Sequence, residues 1–409
     1  MKRDDSISYG RYALALLLAV NMLNYIDRQV LYAVFPLIKH DFQLSDTALG
    51  FLGSAFMIFY MLTAPVFGWL GDRMSRVRLA STGLSIWSLA TVLAGFAMGY
   101  GPLLSARTVV GVGEASFGTV SPGLLADYFP KERRGRVLSY LFLAIPVGSA
   151  LGYLLGGLLG HEFGWHSAFL IVGVPGLVLF FPLWSLREPV RGTMEGSAQN
   201  ANRSGKRYAT LFRNRSYIVN TLAMAAMTFA LGGLAQWMPS FLNRLHGLDV
   251  AKANTIFGAI TVVSGISGTL AGGWLGDRLQ RKSRKGYLMV SGGGFLLGTP
   301  IAAYALMTPS LSHCMTAMFF AEFFLFLNTG PLNTVIVNVT GPSVRAMAFA
   351  VNIFFIHALG DAISPTVLGW FSDMWGLRLS LLTTSVAIII AAFLSFLCMK
   401  FIEGDTVSS

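Results

Sequence analysis

Ionisable residues inside stretches that are otherwise apolar are the residues with which this sequence could do chemistry. In chain order they are Asp27, Arg28, Arg107, Glu114, Glu322 and Asp361. A charge at the centre of a bilayer costs about 2.5–3.5 kcal/mol on insertion scales, so it usually persists for a function or is paired. A carboxyl there can bind and release a proton as its surroundings change between wet and dry. An arginine can hold an anion, so these residues indicate movement of protons or anions.

Spacing limits how four of these residues can meet. Neighbours on a helix project about 100° apart, so Asp27 and Arg28 need not bind each other. Arg107 and Glu114 are two turns apart and therefore share one face of a helix. Two interpretations stay open: a proton-binding and anion-binding cluster, or a structural charge cluster that locks two helices together.

The remaining ionisable residues form a second group of candidates. Glu322 lies in a run of phenylalanines, where we expect it to be protonated or hydrogen-bonded across helices. His357 lies one turn before Asp361 on the same side of a helix. This pair could relay protons, and a helix-packing hydrogen bond explains it equally well.

Enzyme chemistry has no support in the sequence. It contains no G-x-S-x-G elbow, no H-E-x-x-H metal motif and no Walker phosphate loop. The six His are scattered over different segments. We therefore predict a protein that is not an enzyme and that needs no cofactor and no metal.

The composition indicates that membrane-spanning helices position these residues. Of the 409 residues 54% are hydrophobic and 12% are charged, which is about half the charge of a soluble protein. A helix needs about 20 mostly apolar residues to cross a bilayer. Twelve such stretches lie near 12–38, 48–70, 79–99, 101–127, 136–160, 166–186, 217–242, 253–275, 287–308, 312–338, 346–370 and 378–401.

The basic residues are distributed unevenly between the two sides that these spans define. With a cytoplasmic N-terminus, the outer segments hold only Lys39, Arg244, Lys252 and Arg378 of the 30 Lys and Arg. Most others fall in cytoplasmic segments, which obeys the positive-inside rule. The net charge of +11 therefore marks orientation and lipid head groups rather than nucleic-acid binding. We expect both termini to be cytoplasmic.

A repeated loop divides the sequence into two halves. Residues 68–73 and 273–278 both read Gly-Trp-Leu-Gly-Asp-Arg and end the second and the eighth span. Matching features at corresponding places are typical of transporters built from repeats. Because 188–215 is the longest polar stretch, we predict a bundle over 1–187, a linker over 188–215 and a second bundle over 216–409.

The repeated loop has the chemistry of a latch. Its aspartates can bind helix N-termini or a neighbouring arginine, and such contacts can break and re-form between conformations. The simpler alternative is a turn that only anchors charge. Asp127, at the inner end of the fourth span, could pair with Arg76 or Arg134. We name the predicted cytoplasmic gate by its residues: Gly71, Asp72, Arg73, Arg76, Asp127, Asp277 and Arg278.

Twelve spans in two halves with this loop resemble the major facilitator superfamily. Within it, several stretches are similar to the Spinster family of lysolipid and sphingosine-phosphate transporters. They are Asn24-Tyr-Ile-Asp-Arg28, Gly111-Val-Gly-Glu-Ala-Ser116, Ala144-Ile-Pro-Val-Gly-Ser149 and His357-Ala-Leu-Gly-Asp-Ala-Ile-Ser-Pro365. Because long terminal extensions are missing, the resemblance suggests a bacterial homologue in the inner membrane.

The resemblance implies an all-α fold of two pseudo-symmetric six-helix bundles and a monomer that works by alternating access. It implies that Asp27, Arg28 and Glu114 meet in a central cavity. We expect Asp27 and Glu114 to exchange protons with the two sides of the membrane. The expected ligand of the cavity is a small amphipathic anion, bound by Arg28, Arg107, Tyr25, Tyr60, Tyr153 and Phe354.

The substrate and the energy source stay open at this level. The preferred hypothesis is a proton-coupled carrier of an anionic lipid such as a lysophospholipid. The alternatives are a proton-coupled exporter of drugs or small organic anions and an uncoupled lipid facilitator or scramblase. Flux against a gradient separates them, because an uncoupled protein cannot concentrate its substrate.

Overall fold

The computed structural model describes residues 3–129, 133, 137–138, 140–141, 144–190, 211–341 and 344–405, and all regular elements in these ranges are helices. Eleven segments of this part are long and apolar enough to cross a membrane. The predicted first span corresponds to one further helix, Arg3–Ala33, which is more polar because Asn21, Asn24, Asp27 and Arg28 lie in it. The predicted all-α membrane fold is confirmed.

The described residues within Met1–Leu44, Leu52–Asn200 and Leu248–Gly258 form one compact unit, called here the first unit. Two of its ranges come from the N-terminal half of the sequence and one short range comes from the C-terminal half. The helices of the N-terminal half are α1 (Arg3–Ala33), α2 (Phe35–Phe42), α3 (Asp46–Arg73), α4 (Arg76–Ala94), α5 (Tyr100–Tyr128), α6 (Ala144–Phe163) and α7 (Trp165–Trp184).

The described residues within Ser45–Phe51, Ala201–Gly247 and Ala259–Ser409 form the second unit. The helices of the C-terminal half are α8 (Arg215–His246), α9 (Val250–Gln280), α10 (Gly286–Met307), α11 (Leu311–Phe326), α12 (Thr329–Val339), α13 (Arg345–Ile356), α14 (Ser364–Trp375) and α16 (Thr384–Cys398). They belong to the second unit except for the start of α9, up to Gly258, which belongs to the first. Two short helices, α15 (Leu377–Leu382) and α17 (Ile402–Asp405), complete the second unit. The predicted boundaries at 187 and 216 stay a prediction, and residues 191–210 of the predicted linker lie outside the described ranges.

Close packing fills the interior of each unit. In the first unit Trp87 of α4 meets Phe117 of α5 edge-on, with ring centroids 5.9 Å apart, and both are buried. In the second unit Phe295 of α10 is buried in a core with Leu325 and Ile388. Lipid tails are as apolar as these side chains, so packing and interhelical hydrogen bonds are what hold membrane helices together.

Two of the predicted spans are interrupted. The first span breaks between Ala33 and Phe35, because Pro36 lacks the backbone N–H that would continue the helix. Asn254 donates a hydrogen bond of 3.0 Å to the carbonyl of Ala33 at this break. The eleventh span contains a π-helical turn over His357–Asp361, with Gly360 at φ −105° and ψ −108°. Such turns often occur at functional sites.

Candidate functional site

A buried ion pair joins α1 to α5. Arg107 Nη1 donates to Asp27 Oδ1 at 2.9 Å, and Thr91 of α4 donates its hydroxyl to Asp27 Oδ2. The arginine is fully buried and Asp27 is 2% exposed. Each charge is compensated, which a buried charge requires. Asp27 thus connects α1 to both α4 and α5 through hydrogen bonds.

A second ion pair lies beside the first. Arg28 Nε donates to Glu114 Oε2 at 2.7 Å, so neighbouring residues of α1 bind acid and base partners two turns apart on α5. Glu114 is fully buried, whereas 15% of the Arg28 side chain is exposed. Within the described residues, Glu114 Oε1 is buried without a hydrogen-bond partner. The structure thus brings Asp27, Arg28, Arg107 and Glu114 together as two crossed pairs.

Three aromatic rings surround the Arg28 guanidinium. Its Cζ lies 5.1 Å from the Tyr25 ring centroid, 5.1 Å from that of Phe56 and 4.9 Å from that of Tyr60. These distances fall in the range of cation–π attraction. The Phe56 ring also lies 5.3 Å from the Arg107 Cζ, so one ring contacts both arginines. Arg28 is therefore surrounded by aromatic rings and forms an ion pair with Glu114.

Two glycines of α5 make room for this arrangement. A Cβ at Gly111 would lie 2.3 Å from the Phe56 carbonyl oxygen, and a Cβ at Gly118 would lie 2.3 Å from the Tyr60 hydroxyl. Neither distance is possible for real atoms. A larger residue at Gly111 would push the backbone of α3 away from α5, whereas a larger residue at Gly118 would displace the Tyr60 ring. The glycines let α3 bring Phe56 and Tyr60 against Arg28.

Two other predicted cavity residues make aromatic contacts of their own. Tyr153 of α6 is buried and packs edge-on against Phe257, with centroids 5.1 Å apart. Phe354 belongs to the second unit, where it is 45% exposed and packs against Phe355. Of the predicted aromatic lining, the structure brings Tyr25 and Tyr60 to Arg28.

The second group of predicted ionisable residues lies in the second unit. Glu322 of α11 accepts hydrogen bonds from Thr261 Oγ1 at 3.1 Å and Ser264 Oγ at 2.7 Å, both on α9. It is therefore bonded across helices. His357 Nδ1 lies 2.9 Å from Asp361 Oδ1, and both residues belong to the π-helical turn. No group of three His, Cys, Asp or Glu in the described ranges is arranged to hold a metal ion.

Arg76 is the centre of the predicted cytoplasmic gate in the first unit. Its Nη1 donates to Asp127 Oδ2 at 2.6 Å and its Nε donates to Glu188 Oε1 at 2.9 Å. Arg134, the other predicted partner of Asp127, lies outside the described residues. Arg76 is 8% exposed although it lies at a helix end. The contact joins the start of α4 to the end of α5 and to the segment after α7.

Glu188 is a functional candidate that the sequence reasoning missed. Its Oε2 accepts from the Val77 backbone N–H and from Ser75 Oγ, both at 2.9 Å, so it caps α4. Partial burial opposes ionisation, but these bonds and Arg76 lower the pKa of Glu188. The signal in the sequence is weak: Glu188 is simply the first acid after the sixth span.

The repeated sequence, predicted as a loop, is helical in both copies: residues 68–73 end α3, and residues 273–278 lie in the last turns of α9. The two copies share a local geometry. Arg73 Cζ lies 4.1 Å from the Trp69 ring centroid, and Arg278 Cζ lies 5.4 Å from that of Trp274. Asp277 Oδ1 accepts from the Tyr287 hydroxyl at 2.8 Å. Of the other predicted gate residues, Gly71 is buried and Asp72 is exposed.

A further ionic network in the second unit was also missed. Arg244 Nη1 donates to Asp46 Oδ2 at 2.8 Å. Asp373 Oδ1 accepts from the Asp46 backbone N–H at 2.7 Å and Asp373 Oδ2 from the Thr47 N–H at 2.8 Å. These bonds cap the start of α3 and tie it to α8 and α14. The sequence offers the acids, but only the fold brings residues 46, 244 and 373 together.

Comparisons with known proteins agree with this architecture. A family model of the Major Facilitator Superfamily matches residues 17–365. The chain is 35% identical to human Protein spinster homolog 1 over 399 residues, which covers 91% of this chain and 75% of the human protein. It is 32% identical to Drosophila melanogaster Protein spinster over 380 residues, covering 90% of this chain but only 63% of the fly protein's length.

Solved structures give the same result. The crystal structure of a bacterial homologue of the human lysosomal transporter Spinster, inward-facing and unoccupied, has a TM-score of 0.91 and 26% identity, and the match covers 98% of this chain and 99% of that one. A D-xylose–proton symporter has a TM-score of 0.78 at 17% identity, covering 99% and 100%, and shares the fold.

Proposed function

Because this chain belongs to the Spinster family of the major facilitator superfamily, we propose that it carries an anionic, amphipathic lipid across the membrane in exchange with or together with protons. The proposed substrate is a lysophospholipid or a sphingosine-phosphate-like lipid, and the proposed mechanism is alternating access. The observation that carries the proposal is the Arg28 site, where one cation faces Glu114 within three aromatic rings.

Arg28 has the chemistry to bind the head group. A guanidinium binds phosphate through two parallel hydrogen bonds, and Arg28 uses Nε for Glu114. It is the most exposed of the four buried ionisable groups, with 15% of its side chain accessible against 0% for Arg107. The Tyr25, Phe56 and Tyr60 rings suit the apolar part of the same ligand. In this proposal Arg107 does not contact the head group directly but fixes the position of Asp27, next to Arg28, through their ion pair.

Glu114 has the chemistry to couple that binding to a proton. Among the described residues, Arg28 is the one cation bonded to Glu114, and an anion that binds Arg28 in its place leaves the carboxylate without it. A fully buried carboxylate without a partner is costly, so Glu114 then binds a proton. Its unpartnered Oε1 is the atom on which that proton can reside. Asp27 is the second proton-binding group in this proposal. Its carboxylate becomes free to bind a proton when its hydrogen bond to Arg107 breaks.

The contacts of the predicted cytoplasmic gate support a role in the conformational cycle. Arg76 is bound by Asp127 of α5 and by Glu188 after α7. Asp127 must release it if α4 moves relative to α5, and Glu188 must release it if α4 moves relative to the segment after α7. Asp72, Arg73, Asp277 and Arg278 lie at the ends of α3 and α9, and Gly71 lets α3 approach α5, since a Cβ there would lie 2.9 Å from Val120 Cγ1. We propose that these residues alternate between two sets of partners during transport.

The proposed setting follows from the charge distribution. The protein is an integral membrane protein, and the excess of Lys and Arg on one side supports cytoplasmic termini. We propose that it lies in a bacterial inner membrane and acts as a monomer. Its proposed partners are the lipid substrate, protons and membrane lipid.

Flux into proteoliposomes tests the proposed function. Purified protein is reconstituted and supplied with a lysophospholipid, sphingosine phosphate or a panel of drugs, with and without a proton gradient. The proposal expects concentrative movement of an anionic lipid that stops when a protonophore collapses the gradient. Equilibration without concentration would support an uncoupled facilitator or scramblase, and concentration of drugs alone would support an exporter of organic ions.

A further inference from the structure

Residues 278–285, which comprise the last residues of α9 and the loop that follows, carry more positive charge than the second unit neutralises. This segment is called here the loop between α9 and α10. Arg278, Arg281, Lys282 and Arg284 are exposed, and Lys285 is half-buried. Among the described residues, the only acid paired with these cations is Glu403, 3.2 Å from Lys285 and 61% exposed. Asp277 is hydrogen-bonded to Tyr287. Four cations therefore lie together without an acidic partner in the described ranges.

The equivalent loop of the first unit is balanced. Arg73, Arg76 and Arg78 lie there with Asp72, and two more acids, Asp127 and Glu188, bind Arg76 directly. The repeat therefore keeps the Gly-Trp-Leu-Gly-Asp-Arg motif in both units, but the ion pairs differ. In the first unit two acids from elsewhere in the chain bind Arg76, whereas in the second the one such acid among the described residues is Glu403, which binds Lys285. The other four cations are left available to an external anion.

No other acid in the described ranges is seen to supply that anion. Asp405 accepts from the Ser216 backbone N–H at 2.8 Å and so caps α8. The predicted linker over 188–215 contains two acids, Glu188 and Glu195, and six basic residues. Glu188 already binds Arg76. Charge complementarity therefore favours a ligand rather than another segment of this protein.

One face of α9 indicates that the ligand is a lipid. Val263, Ile266, Leu270 and Trp274 follow one another at helical spacing and are 57%, 43%, 69% and 60% exposed. The next position on this face is Arg278, which stacks on Trp274. An apolar stripe that ends in a tryptophan and then in cations matches the order of acyl chain, interface and phosphate in a lipid leaflet.

We propose that the loop between α9 and α10 is a binding site for the head group of an anionic phospholipid. The acyl chains lie along the exposed face of α9, Trp274 lies at the level of the interface, and the phosphate is held by Arg278, Arg281, Lys282 and Arg284. Clusters of at least four cations next to a membrane helix bind anionic lipids in this way. This site consists of other residues than the Arg28 site. The proposal therefore does not depend on which substrate the protein transports.

Native mass spectrometry of the full chain with bound lipid tests the proposal. The protein in detergent is titrated with phosphatidylglycerol or with phosphatidylcholine, and the retained lipid is counted. The wild type is expected to retain phosphatidylglycerol preferentially. Replacing three cations, in R281Q/K282Q/R284Q, is expected to weaken that retention by roughly tenfold or more, because each cation near the surface adds about 1 kcal/mol.

A matched variant separates a site from general attraction. R213Q/R215Q/K400Q removes three exposed cations from the ends of α8 and α16 in the same unit, and it is expected to retain phosphatidylglycerol as the wild type does. R281K/R284K keeps the charge and is expected to retain it too. Equal loss in both triple variants, or no loss in either, would overturn the proposal.

Two further measurements complete the test. The first distinguishes binding of a lipid from binding of a free anion, and the second tests the position of the acyl chains independently of folding. Inorganic phosphate is added at millimolar concentration; displacement of the lipid by it would show a site for free anions instead. Phosphatidylglycerol with brominated chains is expected to quench the fluorescence of Trp274, measured as the difference between the wild type and W274F. Absence of that difference would contradict the placement of the acyl chains on α9 even in a well-folded sample.

Discussion

Arg28 and Glu114 are 86 residues apart in the sequence, yet Arg28 Nε donates a 2.7 Å hydrogen bond to the glutamate, whose other oxygen is buried without a partner among the described residues. Directly beside them Asp27 binds Arg107. One turn of α1 therefore carries an acid and a base that are each neutralised by α5. In this arrangement an anionic ligand can replace Glu114 as the partner of Arg28. No net charge is left in the membrane if Glu114 then binds a proton.

Removing the charge of Asp27 tests both of its roles. In D27N the buried Arg107 loses its counter-ion, so we expect the free energy of unfolding to fall by about 3–5 kcal/mol. We also expect transport driven by a proton gradient to be lost. The double variant D27N/R107Q removes both charges and should recover part of the stability, measured by thermal unfolding in detergent. Recovery of driven transport together with stability would mean that Asp27 is structural only.

Arg28 is expected to determine binding of the anionic head group. Losing a charged hydrogen bond of about 1.5–3 kcal/mol should weaken the affinity of R28Q for lysophosphatidylglycerol by roughly 10–100-fold. R28K keeps the charge but not the planar group that contacts three rings, and we expect an intermediate affinity. Isothermal titration with an uncharged monoacylglycerol is the control, since its binding should change little in R28Q. An equal loss for both ligands would assign Arg28 to packing.

The close approach of α3 to α5 should tolerate no side chain at Gly111. G111A places a Cβ 2.3 Å from the Phe56 carbonyl, so we expect a loss of about 1–3 kcal/mol in stability from overpacking. G101A lies in the same helix with open space around it and is the matched control. Thermal unfolding of both variants measures the difference. A G111A protein as stable as G101A would show that the two helices are farther apart than described.

The Glu188 cap should give the first unit a specific pH dependence. The pKa of Glu188 is lowered from its ordinary value of 4.5, so its carboxylate stabilises the folded protein above that pH. This contribution is lost as the pH falls through the lower folded-state pKa. We expect E188Q to be less stable than the wild type at pH 7 and the two curves to converge below pH 4.5, the upper edge of that window. A constant difference across the range would exclude ionisation of Glu188 as the cause.

The large features of this fold are readable from the sequence because they depend on composition. Long apolar runs give helices of the predicted type, and the motif around Asp72 and its copy around Asp277 mark the repeat. The interruptions could not be placed in the same way. Pro36 signals the first break, but the π-helical turn at His357 depends on how α13 and α14 pack against α8, which no local pattern encodes.

The sequence predicts which residues form the candidate site but not which of them pair with each other. Apolar surroundings single out Asp27, Arg28, Arg107 and Glu114, since charges are costly there. Which acid binds which base depends on the rotation of α1 about its axis, and the residues do not determine that rotation. Glu188 was missed for a related reason: its partners lie more than a hundred residues earlier, and only folding brings it to Ser75 and Val77.

Proton uptake on ligand binding tests the central claim most directly. Purified protein in weakly buffered detergent is mixed with an anionic lysolipid at neutral pH, and the pH change is followed with an indicator dye. The account predicts that the wild type takes up a proton as the ligand replaces Glu114 on Arg28, and that E114Q binds the ligand without uptake. Binding to the wild type with no change in bound protons, or the same uptake by E114Q, would contradict it.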